Sequence, residues 1–183
     1  MSIVEDVPAG PSPERIGGLP RFELPDDFTM SSSWKRAQET TDDGGPINGA
    51  ERMVSLSDSD SYHRVVWALS GGSLRAECPC KGFHHRDWCA HLASLWWRWV
   101  RGQIEVTHID TGRHYRTPPS WLSFDREDRS HVLEGLTPAE LDAYLTCEWG
   151  DVGVREYARQ TDRSPGTVGN QLRWAREKVG GQR

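Results

Sequence analysis

Four residues in the middle of the chain could do the most specific chemistry: Cys78, Cys80, Cys89 and His91. They lie in the run Cys78-Pro79-Cys80-Lys81-Gly82-Phe83-His84-His85-Arg86-Asp87-Trp88-Cys89-Ala90-His91. Three thiolates and one imidazole are the soft and borderline donors that a tetrahedral zinc ion takes. Pro79 and Gly82 favour a tight turn on which the first two thiolates converge. Cys89 and His91 cannot both face one metal from inside a regular helix, because two residues turn through about 200°. Cys89 must therefore stand just before a helix and His91 in its first turn, where the positive end of the helix dipole favours a thiolate. With all four positions filled by protein, the site is closed, as structural zinc sites are and catalytic ones are not. Two alternatives stay open. The cysteines could be buried core residues with His91 at the surface, or His84 or His85 could replace His91 as ligand. Cys147 lies in an apolar helical stretch far along the chain and reads as a small core residue.

The elements that must position these ligands are legible on both sides. Three strand candidates precede the cysteines: Arg52–Asp58, Tyr62–Leu69 with Val65, Trp67 and Leu69 on one face, and Leu74–Cys78. Ser70-Gly71-Gly72-Ser73 between the last two signals a hairpin. A helix then runs from about Cys89 to Gly102, with Leu92, Leu95, Trp96, Trp99 and Val100 as its apolar stripe. Hairpin, CxC, gap, CxH and helix together resemble the SWIM zinc finger over roughly residues 50–104. The resemblance implies a small ββα module with one structural Zn2+ that binds DNA or another protein. Trp97 falls off the apolar stripe beside Arg98 and Arg101. It is a partner-contact anchor together with these two arginines, a base-stacking platform or a residue packed on the amino-terminal segment.

The carboxy-terminal residues show three helix candidates. Thr137, Pro138 and Glu140 form a capping box before Leu141, Tyr144, Leu145 and Trp149, and Gly150 ends that helix. A second helix spans about Val152 to Gln160. Ser164 and Pro165 open a third, with Val168, Leu172, Ala175 and Val179 as its apolar face. Leu136-Thr137-Pro138, Arg155-Glu156-Tyr157-Ala158 and Ser164-Pro165-Gly166-Thr167-Val168, followed by Leu172, Ala175 and Arg176, resemble the helix-turn-helix of sigma-factor region 4. Thr161-Asp162-Arg163 stands where that family usually has an apolar–Gly–apolar turn. The resemblance implies a recognition helix from Ser164 on, in which Thr167, Gly169, Asn170, Gln171 and Arg173 meet base edges or phosphates and Arg176 and Lys178 the backbone of duplex DNA. An ordinary three-helix bundle is the other reading.

Composition agrees with small modules. Of 183 residues 36% are hydrophobic, too few for one large core. The net charge of −5 is unevenly placed: residues 1–50 carry four basic and nine acidic side chains, whereas Arg155 to Arg183 hold seven basic and three acidic. No apolar run is long enough to span a membrane and the amino terminus lacks the features of a signal peptide, so a cytoplasmic or nucleoid-associated location is expected. No Gly-rich phosphate loop, Ser/His/Asp arrangement or HExxH is present, so no enzyme activity is expected. The expected organisation is α+β: a largely disordered acidic segment 1–50, of which Phe22, Leu24, Phe28 and Trp34 could dock on the folded part, a zinc finger 51–104, a linker 105–135 and an all-α three-helix module 136–183. The expected function is zinc and DNA binding in transcription regulation. A protein-interaction finger within a larger assembly is the alternative, and the oligomeric state is open.

Overall fold

The computed structural model describes residues 13–125, 127 and 130–181. The disorder expected for 1–12, and most of the charged run from Asp125 to Arg129, lie outside these residues. Among them the fold is mixed α+β, with seven α-helices, a four-stranded antiparallel sheet and a two-stranded ribbon. In chain order the elements are α1 (Pro13–Gly17), α2 (Ser32–Glu39), β1 (Gly45–Pro46), β2 (Glu51–Ser55), β3 (Tyr62–Ser70), β4 (Ser73–Glu77), α3 (Lys81–Arg86), α4 (Ala90–Val100), β5 (Val106–Thr107), β6 (His114–Tyr115), α5 (Pro138–Tyr144), α6 (Val154–Gln160) and α7 (Pro165–Gly180).

The sheet runs β1-β2-β3-β4, every pair antiparallel. Strand β3 is central and apolar on both faces, as a strand covered from two sides must be. Val65, Trp67 and Leu69 share the main core with Val54, Leu56, Leu74 and the α4 residues Leu92, Leu95 and Trp99. Val66 and Ala68, on the opposite face, pack with Ile16 of α1 and Ala50. The β3–β4 hairpin closes through Ser70 opposite Ser73, with Gly71 at φ +57°, the positive angle that a two-residue turn demands. Gly72 is needed for space, since a Cβ there would run into the Trp149 ring.

Two stretches depart from expectation. Residues 13–50, expected to be largely disordered with Phe22, Leu24, Phe28 and Trp34 able to dock, are folded against the rest, and all four of these residues pack on the main core. Phe22 lies between Trp67 and Trp88, and Phe28 meets both Trp34 and Trp88 edge-on. Helix α2, capped by Ser31, packs on α4. The aromatics dock one by one on a ready surface, so they leave no period in the sequence for a helix or strand test to find. Residues 105–135, expected as a linker, form the β5–β6 ribbon and bury His108 and Trp121. Trp99 Nε1 donates to the Tyr115 carbonyl at 2.9 Å, tying the ribbon to α4.

The three carboxy-terminal helices occur as expected, with the Thr137/Glu140 capping box in place. Helix α5 widens into a π-helical turn over Leu145–Trp149, ended by Gly150. Ala143, Tyr157, Ala158, Val168 and Leu172 form a second core. Leu141, Leu145 and Val179 belong to the main core, so the carboxy-terminal helices pack on the rest of the fold. Arg113, next to β6, reaches Asp142 of α5 at 3.2 Å and lies over the Tyr115 and Tyr157 rings.

The amino-terminal segment is also held electrostatically. The Asp42 side chain is fully buried, accepts from the backbone N–H groups of Gly44 and Ser55, and pairs with Arg98 of α4 at 2.8 Å. Removing one partner leaves the other charge buried without compensation. Arg98→Met is therefore expected to cost about 2–3 kcal/mol, read as a lower denaturant midpoint at unchanged slope.

Candidate metal centre

The site is assembled from the end of a strand, a tight turn and the start of a helix. Cys78 follows directly on β4, so the register of the sheet sets its position. Cys80 is the N-cap of α3, and its Sγ accepts the Phe83 N–H at 3.4 Å. Helix α3 stops at Asp87, which adopts the left-handed conformation at φ +52° and closes the helix with a 2.8 Å bond from its N–H to the Phe83 carbonyl. Asp is one of the few residues besides Gly that enter this region readily. Cys89 then takes extended angles as the N-cap of α4, and His91 falls in the first turn. This is the straddling arrangement that the CxH spacing requires.

One ligand atom from each of Cys78, Cys80, Cys89 and His91 lies within 4.8 Å of the other three. Cys78 Sγ and His91 Nδ1 are 3.7 Å apart. The S···N edge of a tetrahedron with ordinary Zn–S and Zn–N lengths is roughly 3.6 Å, so the cluster could hold a single ion of that size. Cys78, Cys89 and His91 are buried and Cys80 is half-buried. The protonation pattern shows why a cation suits this cluster. The hydrogen bond from the Cys78 thiol is the main cause that pulls Cys89 well below the usual thiol range, helped by His91 and the Leu92 backbone N–H. That same bond, with burial, pushes Cys78 up, while burial raises Cys80. Three sulfurs this close cannot all be thiolates on their own charge. A divalent ion removes that conflict.

Of the alternatives left open by the sequence, His84 and His85 are exposed on α3 and stand outside the cluster. Cys147 packs on the second core. The sequence reading missed three supports. The His63 ring on β3 lies 4.1 Å from that of His91, centroid to centroid. His63 follows the same alternation as Val65, Trp67 and Leu69, so its face was available from the strand period. Trp88, beside Cys89, is buried, and its Nε1 donates to Ser31 Oγ at 3.1 Å. Arg36 of α2, itself paired with Asp58 at 2.6 Å, and Arg86 of α3 line a cleft against Cys80, Cys89 and His91. Nothing in the order of residues brings Ser31 or Arg36 to the site, because α2 arrives by tertiary packing.

The other residues singled out from sequence are distributed as follows. Trp97 packs edge-on against Trp34 at 5.3 Å with Arg101 stacked over it at 4.8 Å, so it covers the amino-terminal segment, and Arg98 holds Asp42. Thr167, Gly169, Asn170 and Arg173 are exposed on α7, and half-buried Gln171 receives a 3.5 Å bond from Arg163. Arg176 is paired with Glu148, and Lys178 with Glu140 at 2.6 Å. These two cations bind α7 to the α5 region.

No family model matches the chain, and neither characterised proteins nor solved structures provide a match. Fold and site together define an α+β protein with a three-cysteine, one-histidine cluster able to hold one metal ion. Among the described residues no helix is long and apolar enough to cross a membrane.

Cys80→Ser and Cys89→Ser are each expected to remove most of the bound metal and lower the thermal midpoint by on the order of 10 °C or more. His84→Ala and His85→Ala should leave both unchanged. Elemental analysis beside a thermal melt reads the two effects together.

Proposed function

We propose that this chain is a zinc-binding, DNA-binding protein acting in transcription regulation, with the zinc site as a structural centre and α7 as the reading helix. The cysteine-rich donor set favours zinc over harder cations, and four protein ligands leave no open position for catalysis. The resemblance to a SWIM finger fits the order of strand, ligand pair, gap, ligand pair and helix.

The observation that carries the DNA reading is how α7 is mounted. Its apolar side, Val168, Leu172 and Ala175, is buried, while Thr167, Asn170, Arg173 and Trp174 face outwards on its first turns. Helix α6 leads into it through a short turn at which Asp162 takes φ +52°. Asp162 thus supplies the left-handed residue that glycine usually supplies in a helix-turn-helix, which accounts for the departure there from the sigma-like pattern. Ala158, 1% exposed between the helices, permits their close crossing. On α7, Asn170 can pair with adenine and Arg173 with guanine or a phosphate. Exposed Arg155 and Arg159 on α6 suit phosphates. With Arg176 and Lys178 bound to carboxylates, the contact moves towards the amino-terminal half of α7.

A different reading has one observation in its favour: Trp174 is 46% exposed next to Arg173, a pairing suited to a protein contact. A binding titration against duplex DNA over a range of salt separates the two. The DNA reading predicts an affinity that falls steeply with salt, and an Arg173→Ala variant weaker by about fivefold to a hundredfold, equivalent to 1–3 kcal/mol. Salt-insensitive or absent binding, with Arg173→Ala unchanged, would leave the protein-interaction reading in its place.

A further inference from the structure

We infer that the cavity beside Arg52 is a binding site for an oxyanion, a phosphate or carboxylate group carried by a small ligand. The cavity, about 500 Å³, opens at the β1–β2 side of the sheet against the segment that follows α4, and it shares no residue with α7 or the metal centre. Its size lies within the range of small-molecule sites.

Arg52 projects from β2 on the face of the sheet that carries the apolar core, opposite Val65. That is an unusual place for a guanidinium, and this one is half-buried. It has no ion-pair partner among the described residues, and its buried Nε–H reaches no acceptor. Burial accordingly pulls its pKa below the usual arginine value, with Asp42 opposing and Arg98 reinforcing that shift. The carboxylate that acts on it, Asp42, is already held by Arg98 and two backbone N–H groups. Glu105 on the rim is exposed and 3.8 Å from Arg116. Of the two arginines that line the cavity, Arg98 is committed to Asp42 behind it and Glu105 on the rim to Arg116, which leaves the Arg52 charge without a partner.

Trp67 lines the same cavity, is 2% exposed, and has an Nε1–H with no acceptor. Both of these N–H groups, on Arg52 and Trp67, are themselves closed off, so a ligand in the cavity meets the remaining, accessible part of the Arg52 guanidinium, while the Trp67 ring serves as wall and reporter. A planar guanidinium fork binds a carboxylate or phosphate through two parallel bonds, and its strength grows where water is excluded. Ile104, Ala50 and the Trp67 ring add apolar walls, which favour an organic anion over a bare halide. A phosphodiester of nucleic acid has the same chemistry and is the second source that must be distinguished.

The indole N–H spectrum of the metal-loaded full chain reads the site directly, with the Trp67 signal identified by its loss in Trp67→Phe. Inorganic phosphate, acetate and a short DNA duplex are titrated separately at constant ionic strength with chloride. A saturable shift of the Trp67 indole is expected, at least tenfold weaker in Arg52→Met and weakened in Arg52→Lys, which keeps the charge but not the fork. In anion-free buffer Arg52→Met should melt no lower than the parent, because it removes an unpaired, half-buried charge. Saturation by phosphate or acetate identifies a free small anion, and saturation by the duplex alone identifies the phosphodiester; either upholds the site. No saturable shift with any of the three, or shifts unchanged in both Arg52 variants, would overturn it.

Discussion

The fold depends on bringing three sulfurs and one imidazole nitrogen, all from different local conformations, within a few ångströms of each other. Each ligand comes from a point where regular structure begins or ends: Cys78 after β4, Cys80 before α3, Cys89 and His91 at the start of α4. Such points have unpaired backbone N–H groups, and sulfur accepts some of them, as Cys80 does from Phe83. The sulfurs repel one another as thiolates and are costly to bury. The site is consequently a place of high local cost unless a cation fills it, and the elements that end there are fixed relative to one another when it does.

The rest of the chain builds outwards from this point. Helix α4 carries two ligands at its start and, a turn later, Leu95 and Trp99, which meet Trp67 and Leu69 of β3. Around that unit the amino-terminal segment wraps its aromatics, anchoring Trp88 beside the site through Ser31. The ribbon β5–β6 extends the unit and presents Arg113 to Asp142 and Tyr157, joining the half that carries the cysteine–histidine cluster to the carboxy-terminal helices. Tyr157 donates to Asp142 at 2.6 Å, and burial, reinforced by that carboxylate, pushes the phenol up, so it stays protonated at neutral pH. The orientation of α6 and α7 therefore depends on the position of the ribbon, and through Trp99 on α4.

What could be read from the sequence was what has a fixed period or spacing. The alternation in β3, the 3.6-residue stripe of α4, the cap at Thr137 and the CxC and CxH pairs each declare their conformation locally. The helix-start placement of Cys89 and His91 followed from geometry alone. What could not be read depends on partners distant in sequence. Phe22, Phe28 and Trp34 stand out as residues able to dock, but their irregular spacing and acidic context name neither the element that carries them nor the aromatic partner each meets. His108 and Trp121 sit among Pro, Gly and charged residues and become buried only because the ribbon folds over the β3–β4 hairpin. Val100, assigned to the apolar stripe, is 39% exposed because the helix ends there, at the edge of the core. Trp97 had three readings, and its packing on Trp34 shows the contact with the amino-terminal segment that one of them expects.

The metal centre is tested most directly by X-ray absorption at the zinc edge on the purified protein. The account predicts one zinc per chain with three sulfur neighbours at about 2.3 Å and one nitrogen at about 2.0–2.1 Å. A first shell containing oxygen that exchanges with solvent, or fully folded protein that contains no metal, would contradict it.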